Sequence, residues 1–164
     1  AIISCSEKKA SKIKIHLNWM DFNPGIKKAE NQKKPVLIDF FANWCKYCHV
    51  LDKTIFSNRE IIKKLHSNFI PIKIYLDRDL KKKIKYKKFS LSKNQFAAAM
   101  GIQGLPSLLF LDKNGNYITT LTGTIDKNQF SSYLDYLHKE CYLQKIKFEN
   151  YYKNISLCKN KNLN

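Results

Sequence analysis

Two cysteines three positions apart, Cys45 and Cys48, are the residues of this 164-residue chain best suited to chemistry. The apolar run at 36–41 predicts a buried strand, and a helical pattern follows Asn43. We therefore predict that Cys45 begins a helix, where free N–H groups and the helix dipole stabilise a thiolate. Because only two residues separate the sulfurs, the pair can cycle between dithiol and disulfide.

The alternative for this pair is half of a zinc site. Structural zinc takes four ligands, and the sequence offers neither a second Cys-x-x-Cys nor a His-x₃-His. Redox chemistry is therefore the favoured interpretation, with no metal and no bound cofactor expected.

The other three cysteines have separate interpretations. Cys5 follows Ile2-Ile3-Ser4, a pattern similar to the end of a bacterial lipoprotein signal, and is either a lipidation site or a cysteine in an ordinary terminus. Cys141 falls on an apolar helical stripe and is first interpreted as a buried thiol. In an oxidising compartment it could instead pair with Cys158, closing a loop worth about 3 kcal/mol.

The remaining patterns predict one α/β domain with a mixed central sheet, spanning 13–140 between a leader at 1–12 and a C-terminal tail at 141–164. We expect a first strand at 13–17 and parallel strands wherever a helix joins them. Ser57 is predicted to open a capping box, and 78–90 is predicted to be irregular.

The net charge of +17 suggests nucleic acid at first sight, but 28 of the 30 basic residues are lysine. Nucleic-acid readers favour the forked guanidinium, so we expect no nucleic-acid partner. No run is long and apolar enough to span a membrane. Six lysines lie in the segment from Lys81 to Lys88. They form either a solvated loop or a surface for nucleic acid, an anionic membrane or an acidic protein partner, and in the last case the charge could steer acidic thiol partners to the site.

Two stretches carry a family resemblance. Residues 39–48 (DFFANWCKYC) resemble the active-site segment of thioredoxins, and 101–107 (GIQGLPS) resemble their cis-proline loop. Residues 48–57 are similar to the subgroup that includes the C-terminal domain of the bacterial transmembrane thiol–disulfide interchange protein. The resemblance covers roughly 13–138 and implies a thioredoxin fold.

The resemblance also implies roles for four residues. Cys45 matches the exposed attacking thiol, and Cys48 matches the buried resolving thiol. Asp39 matches a buried carboxylate that assists proton transfer at the resolving cysteine, and desolvation there should raise its pKa. Lys73 matches a lysine that accompanies this carboxylate.

Five further residues are expected to form the rim where substrate binds, and two of them depart from the family pattern. Trp44 matches an aromatic that shields the site, and Pro106 matches the cis-proline packed beside the disulfide. A cis bond here would leave the backbone of Leu105 free as a docking edge. Lys46 and Tyr47 replace the Gly-Pro of ordinary thioredoxins, and a lysine beside a thiolate makes the disulfide more oxidising.

Together these features predict a monomeric thiol–disulfide oxidoreductase that reduces protein disulfides outside the cytoplasm. A membrane electron-donor protein would re-reduce it, and Cys5 would supply a lipid anchor. The alternatives are an oxidase or isomerase of the same fold, and a non-catalytic binding or chaperone module that keeps the fold as a scaffold.

Overall fold

A computed structural model describes residues 15–159, so Cys5 and the start of the predicted strand at 13–17 lie outside the described residues. The helices are α1 Phe22–Gln32, α2 Lys46–Thr54, α3 Arg59–Asn68, α4 Lys93–Ala99, α5 Lys127–His138 and α6 Phe148–Lys153. The strands are β1 Val36–Phe41, β2 Ile70–Tyr75, β3 Ile84–Tyr86, β4 Phe89–Leu91, β5 Ser107–Leu111 and β6 Tyr117–Thr122. No helix in this range has the length and apolar character to cross a membrane.

The central sheet has the order β2-β1-β5-β6. Strand β1 is parallel to β2 and antiparallel to β5, and β5 pairs with β6 as an antiparallel hairpin. The predicted thioredoxin fold with a mixed sheet is confirmed.

The prediction that helix-linked strands run parallel is wrong for β5. Helix α4 has seven residues and is about 10 Å long, whereas β1 spans about 20 Å. The chain therefore does not return to the far end of the sheet before β5 begins. As a result, β5 starts at the edge where β1 and β2 end, which places the Pro106 loop beside the Cys45 loop.

Side chains of the sheet alternate between two apolar layers. On one face Leu37 and Phe110 pack with α2, α3 and α5, and on the other Ile38 and Phe40 pack with α1 and α4. Helix α1 lies directly against β2. The glycine at position 25 permits this close approach, since a Cβ there would come within 2.6 Å of the Ile72 side chain. Both layers fix the strand ends that carry the candidate site.

Two local predictions before β2 are corrected. Residues 15–19 form no strand, and the backbone of this segment pairs with the sheet edge through one isolated parallel bridge, from Met20 to Ile72. Asn58, not Ser57, caps α3: its side chain accepts from the N–H groups of Glu60 and Ile61 at 3.1 and 3.2 Å. The Ser57 hydroxyl instead donates to a carbonyl of the preceding helix.

The segment predicted as irregular contains the β3–β4 hairpin. Lys87 takes the left-handed conformation at its turn, with φ of 52°. Ile84 is buried, and the Tyr86 ring meets Phe96 of α4 at 5.3 Å between centroids. Ile84 and Tyr86 thus anchor the hairpin against the rest of the fold. These two apolar side chains lie among six lysines, and the high charge of the segment hid them in the sequence.

The described part of the predicted tail folds back onto α5. It forms a 3₁₀ helix at Cys141–Gln144, then α6, then a second 3₁₀ helix at Ile155–Leu157. Tyr151 is buried, and the Tyr136 hydroxyl donates to the carbonyl of Ile146 at 2.7 Å. Cys141 and Cys158 are joined as a disulfide with a Cα–Cα distance of 5.5 Å.

Removing this second disulfide with the double variant Cys141→Ala/Cys158→Ala is expected to lower the free energy of unfolding by about 3 kcal/mol. The bridge closes a loop across a sequence separation of 17, which restricts the unfolded chain. Urea unfolding of both oxidised proteins measures the difference. Mass spectrometry without reductant that finds free thiols at both positions would contradict the pairing.

Candidate active site

The Cys45–Cys48 disulfide lies at the junction between the end of β1 and the start of α2. Cys45 is the N-cap of α2, and its sulfur accepts a hydrogen bond from the N–H of Cys48 at 3.2 Å. The two residues form a disulfide with a Cα–Cα distance of 5.3 Å. The cysteine spacing and the position of the helix start thus agree with the sequence prediction.

A small apolar cluster surrounds the pair. Phe41 and Ala42 belong to the same buried cluster as the two cysteines, and the partly buried Tyr75 and Leu105 pack against this cluster. Cys45 is 4% exposed and Cys48 2%, so the structure does not show the exposed Cys45 that the resemblance implied. In this disulfide state Cys45 packs within the cluster, which shields its sulfur from solvent.

The disulfide is bordered by an exposed rim and by the loop that carries the buried Pro106. Trp44 is 75% exposed, Tyr47 is 59% exposed, and Lys46 also faces solvent. The peptide bond between Leu105 and Pro106 is cis, and Pro106 is buried. The contact of Leu105 with the cysteine cluster brings this loop to the disulfide.

A buried ion pair lies on the α2-facing side of β1. Asp39 and Lys73 are neighbours in the parallel register, and their charged groups are 3.1 Å apart. The Lys73 ammonium also meets Asp52 of α2 at 2.7 Å. Asp52 lies one helical turn beyond Cys48, so the network ties the strand beneath the site to the helix that carries both cysteines.

Burial raises the pKa of Asp39 to about 6. The Lys73 charge and its hydrogen bond oppose this rise, and the Asp52 charge adds to it. Removal of the carboxylate from water is the main reason why a proton on Asp39 is held more tightly than usual, and repulsion from the Asp52 charge is a smaller one. Asp39 therefore changes charge near neutral pH.

Aromatic rings complete the surroundings of Lys73. Its ammonium lies 4.6 Å from the centre of the Trp19 ring and 4.4 Å from that of Phe41. Ring faces attract a cation and exclude water. Lys73 is therefore confined to one position, between the two carboxylates.

Sequence reasoning did not single out Asp52. Its signal was present in the spacing, because residues i and i+4 share one helix face and Asp52 follows Cys48 by four. Asp39 lies on the strand that α2 covers. A carboxylate on the inward face of α2 was therefore a candidate partner for Lys73.

Asp77 braces the loop that carries Trp44. Its carboxylate accepts from the backbone N–H of Asn43 at 2.6 Å and from the Asn43 side chain at 3.3 Å. The exposed His49 ring bonds the Asn43 carbonyl at 2.8 Å and meets Phe41 edge-on. These contacts hold the chain just before Cys45 in place.

Among residues 15–159, no group of three or more His, Cys, Asp or Glu side chains could hold a metal ion. A disulfide at a helix start, a cis X-Pro loop against it and a buried carboxylate on the strand beneath are arranged for thiol–disulfide exchange. The fold and the site together place the chain in the class of thiol–disulfide oxidoreductases.

The chain belongs to the thioredoxin-like family, because the model of the thioredoxin-like domain matches residues 22–138. One curated relative is the thiol:disulfide interchange protein DsbD of Yersinia pestis (strain Pestoides F). It is 31% identical over 108 residues, which make up 65% of this chain and 16% of that protein. The chain thus spans about a sixth of the length of this relative.

Two solved structures show the same fold. A thioredoxin-fold protein from Helicobacter pylori superposes with a TM-score of 0.64 at 20% identity, covering 77% of this chain and 82% of that one. The oxidised C-terminal domain of Neisseria meningitidis DsbD gives a TM-score of 0.52 at 17% identity, covering 72% and 97%.

Proposed function

We propose that this protein reduces disulfides in protein substrates through a Cys45–Cys48 dithiol/disulfide cycle. The observation that carries the proposal is the disulfide at the start of α2, packed against Leu105 of the cis-proline loop. The relatives named as thiol:disulfide interchange proteins support the same chemistry.

The cycle begins with the reduced protein. The Cys45 thiolate attacks one sulfur of the substrate disulfide, forming a mixed disulfide and releasing the other substrate sulfur as a thiolate. Cys48 then loses its proton and attacks the Cys45 sulfur. The Cys45–Cys48 bond forms, the bond to substrate breaks, and the second substrate sulfur leaves. Two electrons pass to the substrate, and the protein ends in the disulfide state described above.

Asp39 is proposed to accept the proton from Cys48 in the second step. The carboxylate lies on the face of β1 that α2 covers, and Lys73 links it to Asp52 one turn after Cys48. A pKa of about 6 leaves Asp39 ionised at pH 7 and close enough to neutrality to take up a proton. Lys73 acts as a positioning residue for this carboxylate.

The substrate is proposed to dock as an extended chain along the loop at Leu105 and Pro106. Trp44 and Tyr47 present exposed aromatic surface beside the disulfide, and Lys46 adds a positive charge. Such large, exposed aromatic side chains supply contact area in binding surfaces.

The proposed setting is extracytoplasmic, and the proposed electron source is a membrane electron-donor protein. A second disulfide between Cys141 and Cys158 supports an oxidising compartment. Lipid attachment at Cys5 would keep the protein at the membrane, and we propose that it acts as a monomer.

The reduction potential of the Cys45–Cys48 couple tests the direction of the reaction. Equilibration with glutathione or dithiothreitol redox buffers, read out by alkylation of free thiols, measures it. A value of about −270 mV supports a reductase. A value of about −120 mV would overturn the reducing direction and support the oxidase alternative, which Lys46 beside Cys45 favours.

A further inference from the structure

A cavity of about 240 Å³ lies beside the redox centre, between the start of α1, the end of β2 and the segment 78–84. Its apolar part is formed by Phe22, Ile74 and Ile84. The neighbouring Lys73 ammonium is already engaged by Asp39 and Asp52. The remaining charged side chains on the walls are Arg78, Lys82, Lys83 and Lys93 against Asp21 and Asp79.

The positive charges of the cavity exceed its negative charges even after the internal pairing. Lys82 is bound to Asp21 at 3.0 Å. Asp79 makes no ion pair within 4.0 Å to any residue that the structure describes. Arg78, Lys83 and Lys93 therefore face one remaining carboxylate, which leaves the cavity suited to an anion.

The Arg78 guanidinium is held in place and has unused hydrogen-bond donors. Its guanidinium stacks on the Tyr75 ring with 3.3 Å from its central carbon to the ring centre. Within residues 15–159 its side chain makes no hydrogen bond or ion pair, so its forked donors are available. It is also one of only two arginines in a chain with 28 lysines. A stacked, fixed guanidinium matches a carboxylate with two parallel hydrogen bonds.

Lys93 supplies a second donor. It is the first residue of α4 and only 9% exposed, although its side chain is charged. Its ammonium donates to the carbonyl of Arg78 at 2.7 Å, and no other hydrogen bond of this group occurs among the described residues. A buried ammonium with unused donors favours an anion beside it.

Tyr75 contacts both the redox site and the cavity. It packs against the Cys45–Cys48 cluster, and it is also one of the residues that line the cavity. Asp77, between Tyr75 and Arg78, holds the loop before Cys45 through Asn43. A group bound in the cavity and a partner docked at the disulfide would therefore both lie near Tyr75.

We propose that the cavity binds a carboxylate side chain of the protein partner, from an acidic residue close to the cysteine that reacts with Cys45. The inference rests on the proposed function, since it takes the partner to be a disulfide-containing protein. Carboxylates are the anions that unmodified protein side chains carry. The apolar part of the cavity contacts the methylene groups of the acidic side chain.

Two synthetic disulfide peptides that differ only in Glu or Gln beside the cysteines test the inference. Reduced protein is mixed with each at low salt, and oxidation is followed by tryptophan fluorescence. The wild type should react with the Glu peptide about ten-fold faster. In Arg78→Gln and in Lys83→Gln this ratio should fall to about three or less. Using the ratio cancels any effect of the substitution on the redox centre itself.

Arg59→Gln is the matched control, because Arg59 is the other arginine, is exposed on α3 and does not line the cavity. It reports how much of the preference comes from the overall positive charge, and it should keep the wild-type ratio. Equal ratios in the Arg78 and Arg59 variants would overturn the inference.

Two further measurements separate this inference from the proposed function. Failure of the reduced wild type to react with uncharged hydroxyethyl disulfide would overturn the proposed function. Binding of the Glu peptide with serine in place of cysteine involves no redox step, and Arg78→Gln should weaken it about five-fold. Unchanged binding would overturn the carboxylate site alone.

Discussion

Cys45→Ser is expected to lower the rate of insulin disulfide reduction by about 10³-fold or more, with dithiothreitol as the electron source. A serine hydroxyl is not ionised near neutral pH and cannot form a disulfide with the substrate. The position of Cys45 at the start of α2 gives its thiolate the free N–H groups and dipole of that helix. Turbidity from the precipitating insulin chains measures the rate.

The control is Cys141→Ala/Cys158→Ala, which removes the second disulfide instead. These two cysteines belong to the layer formed with α5 and lie outside the apolar cluster around Cys45. This variant should keep the wild-type rate at a temperature where it is folded. Wild-type activity in Cys45→Ser would show that the chemistry lies elsewhere.

Asp39→Asn is expected to slow release of the reduced substrate by about 10²-fold at pH 7. Asparagine fills the same space but cannot accept a proton from Cys48. In the wild type this step should speed up as pH rises through about 6, because only the ionised carboxylate is a base. The variant should lack that rise. Stopped-flow measurement of the rate at which Cys48 resolves the mixed disulfide, from pH 5 to 8, tests both the slower release and its pH dependence.

The same substitution reports the pKa of Asp39 through stability. The folded-state pKa of about 6 lies above the ordinary 3.8, so the folded protein holds this proton more tightly than the unfolded chain. The protonated Asp39 therefore contributes to the free energy of unfolding fully below about pH 4, and this contribution is lost as pH rises through about 6. Relative to Asp39→Asn, the free energy of unfolding of the wild type should thus fall by about 3 kcal/mol over this window.

Urea unfolding of the two oxidised proteins at a series of pH values gives the difference in free energy of unfolding between the wild type and Asp39→Asn. If this difference does not change between pH 4 and 7, the pKa of Asp39 is not raised. A release rate that the substitution leaves unchanged would instead contradict the role of Asp39 as the base, while leaving its pKa intact.

The parts of the site that follow local patterns could be predicted from the sequence. A continuous apolar run determines β1, and the Cys-x-x-Cys spacing determines that the two sulfurs share one turn of α2. Asp39 lies on β1, six residues before Cys45. The pairing of Asp39 with Lys73 also follows once β1 and β2 are aligned as parallel neighbours.

The parts that depend on contacts between distant segments could not be predicted. The direction of β5 depends on how far α4 carries the chain, and Asp52 reaches Lys73 only when α2 lies over the sheet. The cavity beside Arg78 combines the start of α1 with the end of β2. Folding of the C-terminal segment depends on Tyr151 finding a buried position against α5, which polar composition alone did not indicate.

The most direct test of the account is the Cys48→Ser variant, because it stops the cycle after the first step. Reduced Cys48→Ser is mixed with a disulfide-containing protein, quenched with acid and mapped by mass spectrometry without reductant. The expected product is a stable mixed disulfide on Cys45, with Cys141 still joined to Cys158. Absence of any adduct, or an adduct on Cys141 or Cys158 with Cys45 unmodified, would contradict it.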